Sequence, residues 1–243
     1  MKISTAYLSE CGGREKNDDT VCVLSKEDGI CAFVGDGLGG YQGGAEASQI
    51  AAKEITEYWK QEGLMTERQM DEAVRLADWA VKHLQQQKHG RMKTTMVTLV
   101  IEKQQARWMH VGDSRLYHFW NNKLIEQTMD HSVSQVAVLM GEIEAKDIRF
   151  HEDRNRVLRA LGSENAKSEI SNVIDISKGN HAFLLCTDGF WEYVYENEME
   201  QLLEMAINPQ KWLEEMKKLL VSRVPAKNDN FTAIAVFLEK IDR

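Results

Sequence analysis

The sequence is poor in proline, in long apolar stretches and in blocks of basic residues, and each absence excludes a class of protein. Its 243 residues include two prolines, Pro209 and Pro225, where an average composition of about 5% would give roughly a dozen. A proline-rich linker is absent, which favours one continuous domain over residues 1–243. No stretch approaches the roughly 18 uninterrupted apolar residues of a membrane span, and residues 1–5 lack a signal peptide's apolar region. We therefore expect a cytoplasmic location and no membrane partner.

The net charge and the cysteine pattern further restrict the class of protein. Lys and Arg number 30 against 38 Asp and Glu, so the formal net charge is −8. Nucleic acids and anionic membranes are bound through clustered cationic side chains, and the sequence has no such cluster. The cysteines Cys11, Cys22, Cys31 and Cys186 form no CxxC pair, and three of them lie in or beside strand-like runs. This pattern predicts reduced thiols with structural roles.

The hydrophobic patterning predicts an α+β fold with antiparallel sheets. Apolar periods near 3.6 predict helices from Ala45 onward, over 70–84 with Gly90 placed to stop the helix, and over about 196–207 and 210–222. Short apolar runs predict strands at 30–35, 95–102, 107–111, 115–120, 123–125, 181–186 and 231–239. The four central runs have short links, with Asn121-Asn122 suited to a tight hairpin turn, whereas parallel strands need a crossover of a dozen or more residues. We therefore expect antiparallel sheets covered by helices.

The most informative pattern is the position of five aspartates at the ends of strand-like segments. Asp36, Asp113 and Asp188 follow such segments, while Asp19 and Asp229 precede them. A single aspartate of this kind is typical of a turn, but five with neighbouring glycines indicate a shared cleft. Two carboxylates about 5 Å apart repel by roughly 3 kcal/mol at an effective dielectric near 20. An oxygen-only ligand set selects Mg²⁺ or Mn²⁺, and several carboxylates around one cleft suit a two-metal site that hydrolyses phosphate esters.

Three other motifs would indicate different functions, but the support for each is weaker than the support for a metal site. The segment 35–40 matches GxGxxG, but Asp36 would oppose a pyrophosphate and no parallel βαβ unit follows. Gly112-Asp113-Ser114 resembles the surroundings of a serine nucleophile, yet no histidine base is evident in the sequence. His131 lies in Asp130-His131-Ser132, a context typical of helix capping.

At this point the sequence resembles the metal-dependent serine/threonine protein phosphatases of the 2C type, in their bacterial single-domain branch, over nearly its whole length. Eight segments carry the resemblance in family order: Arg14-Glu15-Lys16-Asn17-Asp18-Asp19, Asp36-Gly37-Leu38-Gly39-Gly40, Thr94-Thr95, Val111-Gly112-Asp113-Ser114-Arg115, Asp130-His131-Ser132, Leu158-Arg159-Ala160-Leu161-Gly162, Leu184-Leu185-Cys186-Thr187-Asp188-Gly189 and Asp229-Asn230-Phe231-Thr232. The family fold is a four-layer αββα sandwich of two stacked antiparallel sheets.

The resemblance also implies a set of site residues and partners. Asp36 would bridge two Mn²⁺ or Mg²⁺ ions, and the first ion would also have the Gly37 carbonyl and, through water, Asp19. Asp188 and Asp229 would bind the second, and Asp113 would join Asp188 at a third metal position. Arg14 would hold the substrate phosphate, for which a guanidinium is well shaped. Residues 133–157, named the flap segment below, would lie beside the active site.

The implied reaction is hydrolysis of phosphoserine and phosphothreonine in proteins by a hydroxide bridging two metals, without a covalent phosphoenzyme. The implied partners are phosphorylated proteins, among them an opposing kinase, and the implied state is a monomer. Two departures bear on the site: Asp18 stands where the family has Glu, and Leu38 stands where eukaryotic members have a histidine. Leu38 cannot donate a proton, so water would protonate the leaving group. The alternative function is a catalytically silent binding or regulatory module, and a dinucleotide-binding oxidoreductase is a more distant one.

Overall fold

The structure is a computed structural model that describes residues 2–27, 29–38 and 43–239. The second half of the GxGxxG match, Gly39-Gly40, lies outside the described residues, as do both ends of the range 1–243. None of the helices in the described ranges combines the length and the apolar composition that a membrane crossing needs.

Two antiparallel sheets form the centre of the fold, as the short links between strands predicted. The first sheet has the strand order β1-β13-β12-β8-β9, and the second has β10-β7-β6-β3-β2 with β11 also paired to β7. A two-stranded ribbon, β4-β5, lies apart from them. The strands are β1 (Lys2–Glu10), β2 (Thr20–Lys26), β3 (Gly29–Gly35), β4 (Gly37–Leu38), β5 (Lys93–Thr94), β6 (Met96–Glu102), β7 (Gln105–Val111), β8 (Arg115–Trp120), β9 (Lys123–Gln127), β10 (Glu169–Ile170), β11 (Ile174–Asp175), β12 (His181–Cys186) and β13 (Phe231–Glu239).

Helices cover both outer faces of the paired sheets. Those before the central strands are α1 (Gly44–Glu62) and α2 (Glu67–Lys88), and those after them are α4 (Asp188–Trp191), α5 (Glu196–Met205) and α6 (Pro209–Arg223). The flap segment contains α3 (Val133–Leu139) and a 3-10 helix (Ala145–Phe150).

Three clusters of buried side chains confirm the four-layer sandwich. One cluster joins α1 and α2 to the second sheet, around Trp59 and Phe33. A second joins α5 and α6 to the first sheet, around Trp212. The third, which includes Leu99 and Phe183, lies between the two sheets. Because strand side chains alternate in direction, each sheet contributes one set of residues to the centre and the other set to its helices.

The Asn121-Asn122 turn confirms the predicted hairpin. Both residues have positive φ, 48° and 65°, which is the backbone that a two-residue hairpin turn requires and that asparagine tolerates. The end of α2 differs from its prediction by one residue. The left-handed residue there is His89, with φ of 51°, and not Gly90.

The first strand is the largest element that the sequence pattern does not reveal. β1 pairs with β13 over its whole length, from Lys2 opposite Glu239 to Glu10 opposite Phe231. Its sequence mixes polar and apolar residues, and most of them are half-buried or exposed. β3 and β12, in contrast, are buried over their whole length. Its pairing depends on a partner more than 200 residues away.

Two histidines form a buried pair beside the layer between the sheets. Lys178 O can only accept, so the 2.8 Å contact places a proton on His181 Nε2. His181 Nδ1 is then an acceptor, and His118 Nε2 donates to it at 2.9 Å. The remaining nitrogen, His118 Nδ1, is buried and finds no hydrogen-bond partner within the described part of the chain, and His118 stacks on Phe183 with ring centroids 4.4 Å apart.

This pair predicts a loss of stability in mild acid. Burial first, and then the neighbouring His181, lower the pKa of His118 to about 3. Between that value and the ordinary histidine pKa of about 6.5, the unfolded chain binds a proton that the folded chain does not, so stability falls as pH falls through this window. Urea unfolding from pH 7 to pH 4.5 should show a shallower pH dependence for His118→Phe than for the original protein.

The exposed His83 on α2 supplies the control. His83→Gln should leave the pH dependence of the unfolding free energy unchanged. An unchanged slope in His118→Phe would show that this histidine does not contribute to the acid sensitivity.

Candidate active site

Four of the five predicted aspartates meet at one end of the sandwich because strands of both sheets end there. Asp36 directly follows β3, and Asp113 comes two residues after β7. These strands run in the same direction because each is antiparallel to β6, which lies between them. In the other sheet, the carboxyl end of β12 adjoins the amino end of β13, which brings Asp188 and Asp229 together.

These four carboxylates face a cleft of about 350 Å³. Asp18 and Glu15 also line it, so six acidic side chains face two basic ones, Arg14 and Lys16. The remaining lining residues are Gly37, Leu38, Asn155, Val157 and Asn230. The cleft is therefore strongly negative, as the positions of the aspartates predicted.

The electrostatics show that the carboxylates repel one another. Burial first, and then the charge of Asp188, raise the pKa of Asp36 well above its ordinary value. The same two causes, in the same order, raise the pKa of Asp113. Burial and the neighbouring Asp229 raise the pKa of Asp188 to about 6. A bound cation would reverse these effects because it favours the charged form of each carboxylate.

The donor set fits a hard divalent cation. Asp113 Oδ1 is buried and has no hydrogen-bond partner among the residues that the structure describes, which is costly for a carboxylate unless a cation lies against it. Among the described residues, no cysteine or histidine lines the cleft, whose side-chain donors to a cation are carboxylate and amide oxygens. Such oxygen-only sets suit Mg²⁺ or Mn²⁺ more than Zn²⁺.

Gly37 lies where backbone segments crowd together. A Cβ at this position would come within 2.3 Å of the carbonyl of Gly44 and 2.5 Å of Asp18 O. The Gly37 N–H donates to Asp18 O at 3.1 Å. Only glycine fits this contact, which holds the Arg14–Asp19 loop, the start of α1 and β4 against the cleft.

Two threonines hold the backbone of Asp36 in place. Thr95 Oγ1 accepts from the Asp36 N–H at 3.0 Å, and Thr94 Oγ1 donates to Asp36 O at 2.9 Å. Thr95 Oγ1 also contacts Ser114 Oγ at 2.7 Å. The Thr94-Thr95 pair thus positions the aspartate at the centre of the cleft from the neighbouring strand.

Asp19 is the predicted site residue that the cleft does not include. It is buried behind the wall, where its Oδ2 accepts from Thr187 Oγ1 at 2.9 Å. Burial raises its pKa to about 7, and the charges of Asp188 and Asp229 act in the same direction. Its neighbour Asp18 lines the cleft instead, and Asp18 Oδ1 accepts from the N–H of Ala45 at 3.2 Å in the first turn of α1.

Arg14 lies at the mouth of the cleft and pairs with a predicted metal ligand. Its Nη2 donates to Asp229 Oδ2 at 2.8 Å, and about half of each side chain is exposed. This pairing is the main cause that raises the pKa of Arg14, with Asp188 and Asp36 adding smaller effects. Because the pair is accessible to solvent, its contribution to stability is small.

Residues that sequence reasoning left without a role support the cleft from behind. Trp191 Nε1 donates to Asp113 O at 2.9 Å, and Arg115 stacks on the Trp191 ring at 3.5 Å. Arg115 also makes a bidentate, buried ion pair with Asp130 at 2.8 Å. Asn230 Nδ2 donates to the carbonyls of Cys11 and Lys16, which ties the Arg14 loop to the start of β13. The one signal in the sequence was that Arg115, Trp191 and Asn230 each lie within three residues of a predicted aspartate.

The Asp130-His131-Ser132 motif does more than the predicted capping. Ser132 is the N-cap of α3 and accepts from the Gln135 N–H. Asp130 instead pairs with Arg115, and His131 Nδ1 accepts from the Gly112 N–H at 3.1 Å. His131 also stacks on His110 with ring centroids 4.6 Å apart. The motif therefore fixes the loop that carries Asp113.

The flap segment is attached beside the cleft at both of its ends. Ser132 pairs with Val157 as an isolated β-bridge, and Asn155 and Val157 line the cleft. Within the segment, Arg149 Nη2 donates to both carboxylate oxygens of Glu196 at 2.8 Å. These contacts place the predicted flap next to the aspartates.

The fold and the acidic cleft together define a metal-dependent phosphatase. A family model described as Protein phosphatase 2C matches residues 12–227. The serine/threonine phosphatase stp of Listeria welshimeri is 32% identical over 205 residues, 79% of this chain and 79% of the relative. The chain therefore belongs to the protein phosphatase 2C family and is a protein serine/threonine phosphatase.

Solved structures share the fold over nearly the full length. The serine/threonine phosphatase Stp1 from Staphylococcus aureus matches with a TM-score of 0.87 at 24% identity, over 99% of this chain and 96% of that one. The catalytic domain of the serine threonine protein phosphatase PstP, solved in complex with two manganese ions, matches with a TM-score of 0.82 at 22% identity, over 98% and 99%.

The unpartnered oxygen of Asp113 predicts opposite effects of one substitution with and without metal. Asp113→Asn removes a buried, repelled charge, so in chelator we expect a melting temperature about 2–6 °C higher than that of the original protein, on the scale of 2–4 °C per kcal/mol. The same change removes a ligand, so the rise in melting temperature on adding Mn²⁺ should shrink. Differential scanning calorimetry with and without Mn²⁺ measures both.

Asp71→Asn, on the exposed face of α2, is the matched control and should change neither quantity. A lower melting temperature for Asp113→Asn in chelator, with an undiminished Mn²⁺ effect, would contradict this account of the cleft.

Proposed function

We propose that this chain removes phosphate from phosphoserine and phosphothreonine in proteins at the acidic cleft, with the substrate phosphate drawn to cations held by its aspartates. The observation that carries the proposal is the convergence of Asp36, Asp113, Asp188 and Asp229 on one cleft. Six acidic side chains would repel a phosphate dianion, so the cleft is suited to phosphate only when divalent cations occupy it.

We assign the ligands from the side chains and backbone that face the cleft. Asp36 would bind both of two cations. The Gly37 carbonyl would bind the first of them, and Asp188 and Asp229 would bind the second. Asp113, with its unpartnered oxygen, would join Asp188 at a third position. Asp19, behind the wall, would act through water. When bound, such cations neutralise phosphate charge and activate water near neutral pH.

The other residues of the cleft would bind the substrate phosphate and limit how the leaving group is protonated. Arg14 can release Asp229 to hold a phosphate oxygen because both side chains are about half exposed. Lys16 adds a second positive charge to the same wall. Leu38 lines the cleft and has no proton to donate, so the departing serine or threonine oxygen takes its proton from water. Among the described residues that line the cleft there is no serine, threonine, cysteine or histidine to act as a covalent nucleophile, which is consistent with direct hydrolysis.

The proposal extends to the setting of the enzyme. Residues 1–243 would act as one catalytic domain that includes the flap segment, as a cytoplasmic monomer. Its substrates would be phosphorylated proteins, including the serine/threonine kinase that opposes it. A binding or regulatory module without activity is the alternative, and it has no specific support from the site because the four converging aspartates are all present.

Metal dependence tests the proposal directly. Release of phosphate from a phosphothreonine peptide should require Mn²⁺ or Mg²⁺, stop with chelator, and fall by at least about a hundredfold in Asp36→Asn, since the central ligand loses its charge. Asp71→Asn should retain full activity. Activity that survives both the chelator and Asp36→Asn would exclude the mechanism, whereas tight Mn²⁺ binding without hydrolysis of any phosphopeptide would favour the silent module.

The position of Arg14 predicts an effect on substrate binding that can be measured separately from metal binding. Arg14→Ala should raise KM for a phosphothreonine peptide by about tenfold, because a charge-assisted hydrogen bond to phosphate is lost. Arg14→Lys should recover only part of this loss, since an ammonium cannot make the bidentate contact. Steady-state kinetics give both values, and Arg91→Ala, an exposed arginine before β5, should behave like the original protein. An unchanged KM in Arg14→Ala would contradict the assignment.

A further inference from the structure

The helix α3 in the flap segment is apolar on both of its faces. Its sequence is Val-Ser-Gln-Val-Ala-Val-Leu, followed by Met140, and it carries no charged residue. Ser134 and Ala137 are buried, and Val138 packs against the core cluster below. A surface helix normally places polar residues on the face opposite its buried side.

The outer face of α3 instead exposes three apolar side chains. Val136, Leu139 and Met140 are 41%, 70% and 69% exposed. Their spacing of i, i+3 and i+4 places them on one stripe, on the side away from Ala137 and Val138. We name these three residues the flap ridge. Clustered exposed apolar side chains are typical of interaction sites.

The flap ridge lies on a helix whose first residue is hydrogen-bonded to the segment that forms one wall of the cleft. The Val133 N–H, which begins α3, donates to Arg156 O at 3.0 Å, and the adjacent Val157 lines the cleft. The seven residues of α3 rise about 1.5 Å each, so the ridge extends to roughly 10 Å from this wall. An extended peptide advances about 3.3 Å per residue, so a segment with its phosphorylated residue in the cleft reaches the ridge about three to five residues away.

Resting on the proposed function, we propose that the flap ridge binds an apolar side chain of the phosphorylated protein substrate, three to five residues from the phosphoserine or phosphothreonine. The substrates preferred by this phosphatase would then carry a leucine-like residue at that spacing. The site recognises a short segment, because three side chains on two helical turns offer a surface well below the roughly 800 Å² per partner of a stable protein interface. A second copy of the chain is therefore the poorer occupant.

The test compares peptides and variants together. Phosphothreonine peptides carry a single leucine at three, four or five residues before or after the phosphothreonine, and matched peptides carry glutamine there. The original protein should hydrolyse one or more leucine peptides with kcat/KM about tenfold above the glutamine match, an apolar discrimination of ordinary size. In the double variant Leu139→Gln/Met140→Gln this preference should disappear through KM, while hydrolysis of p-nitrophenyl phosphate stays unchanged.

A matched double variant controls for the loss of exposed apolar side chains. Met205 and Ile207 are 71% and 79% exposed and lie at the end of α5 and just after it, so Met205→Gln/Ile207→Gln should keep the leucine preference. A preference that is absent from the original protein, survives in the ridge variant or is also lost in the control would overturn the proposal. So would a fall in p-nitrophenyl phosphate hydrolysis, or a dimer in sedimentation that dissociates in the ridge variant.

These failures are distinct from a failure of the proposed function. If no phosphopeptide and no p-nitrophenyl phosphate is hydrolysed with Mn²⁺ present, the catalytic proposal is wrong and the ridge proposal falls with it. If all peptides are hydrolysed equally, catalysis stands and the ridge proposal alone is wrong.

Discussion

Repulsion between aspartates at one end of the sandwich is the constraint on which the site depends. Asp36, Asp113, Asp188 and Asp229 line one cleft, and burial with their mutual charges raises the pKa of the first three. Folding alone does not relieve this cost, since Arg14 is the one described basic residue that forms an ion pair with these aspartates, and it lies at the exposed rim. The arrangement becomes favourable when divalent cations bind, which couples the stability of this end of the fold to its metals.

The surrounding structure holds Asp36 and Asp113 in place by hydrogen bonds to their backbone rather than to their carboxylates. Thr94 and Thr95 bind the backbone of Asp36, and Trp191 binds that of Asp113. Arg115, buried against Trp191, pairs with Asp130 at the base of the flap segment. The carboxylate oxygens of Asp36 and Asp113 therefore stay available for ligands while hydrogen bonds fix the backbone that carries them. The same contacts join the flap segment to the cleft. The aspartates and the segment that we propose to contact the substrate are therefore held by the same residues.

Much of this arrangement could be predicted from the sequence because it rests on local patterns. Alternation and short links predicted the antiparallel strands, and the two asparagines predicted their own turn. The aspartates at strand ends predicted an acidic metal site before any coordinates, because glycine neighbours and repeated strand-end placement are local signals. The sequence pattern missed one long-range pairing and misplaced one local helix end by a single residue. β1 has no apolar run of its own and forms along β13, and α2 ends in a left-handed histidine that the neighbouring Gly90 obscured.

The sequence by itself determined the chemistry of the site: oxygen ligands, a negative cleft and an arginine shaped for phosphate. Only the tertiary structure decided which acids face the cleft. Asp18 and Asp19 are adjacent in the loop before β2, yet Asp18 lines the cavity while Asp19 is buried against Thr187. It also decided that α3 exposes an apolar stripe beside the cleft, because burial of its other face depends on packing against a core assembled from distant strands and helices.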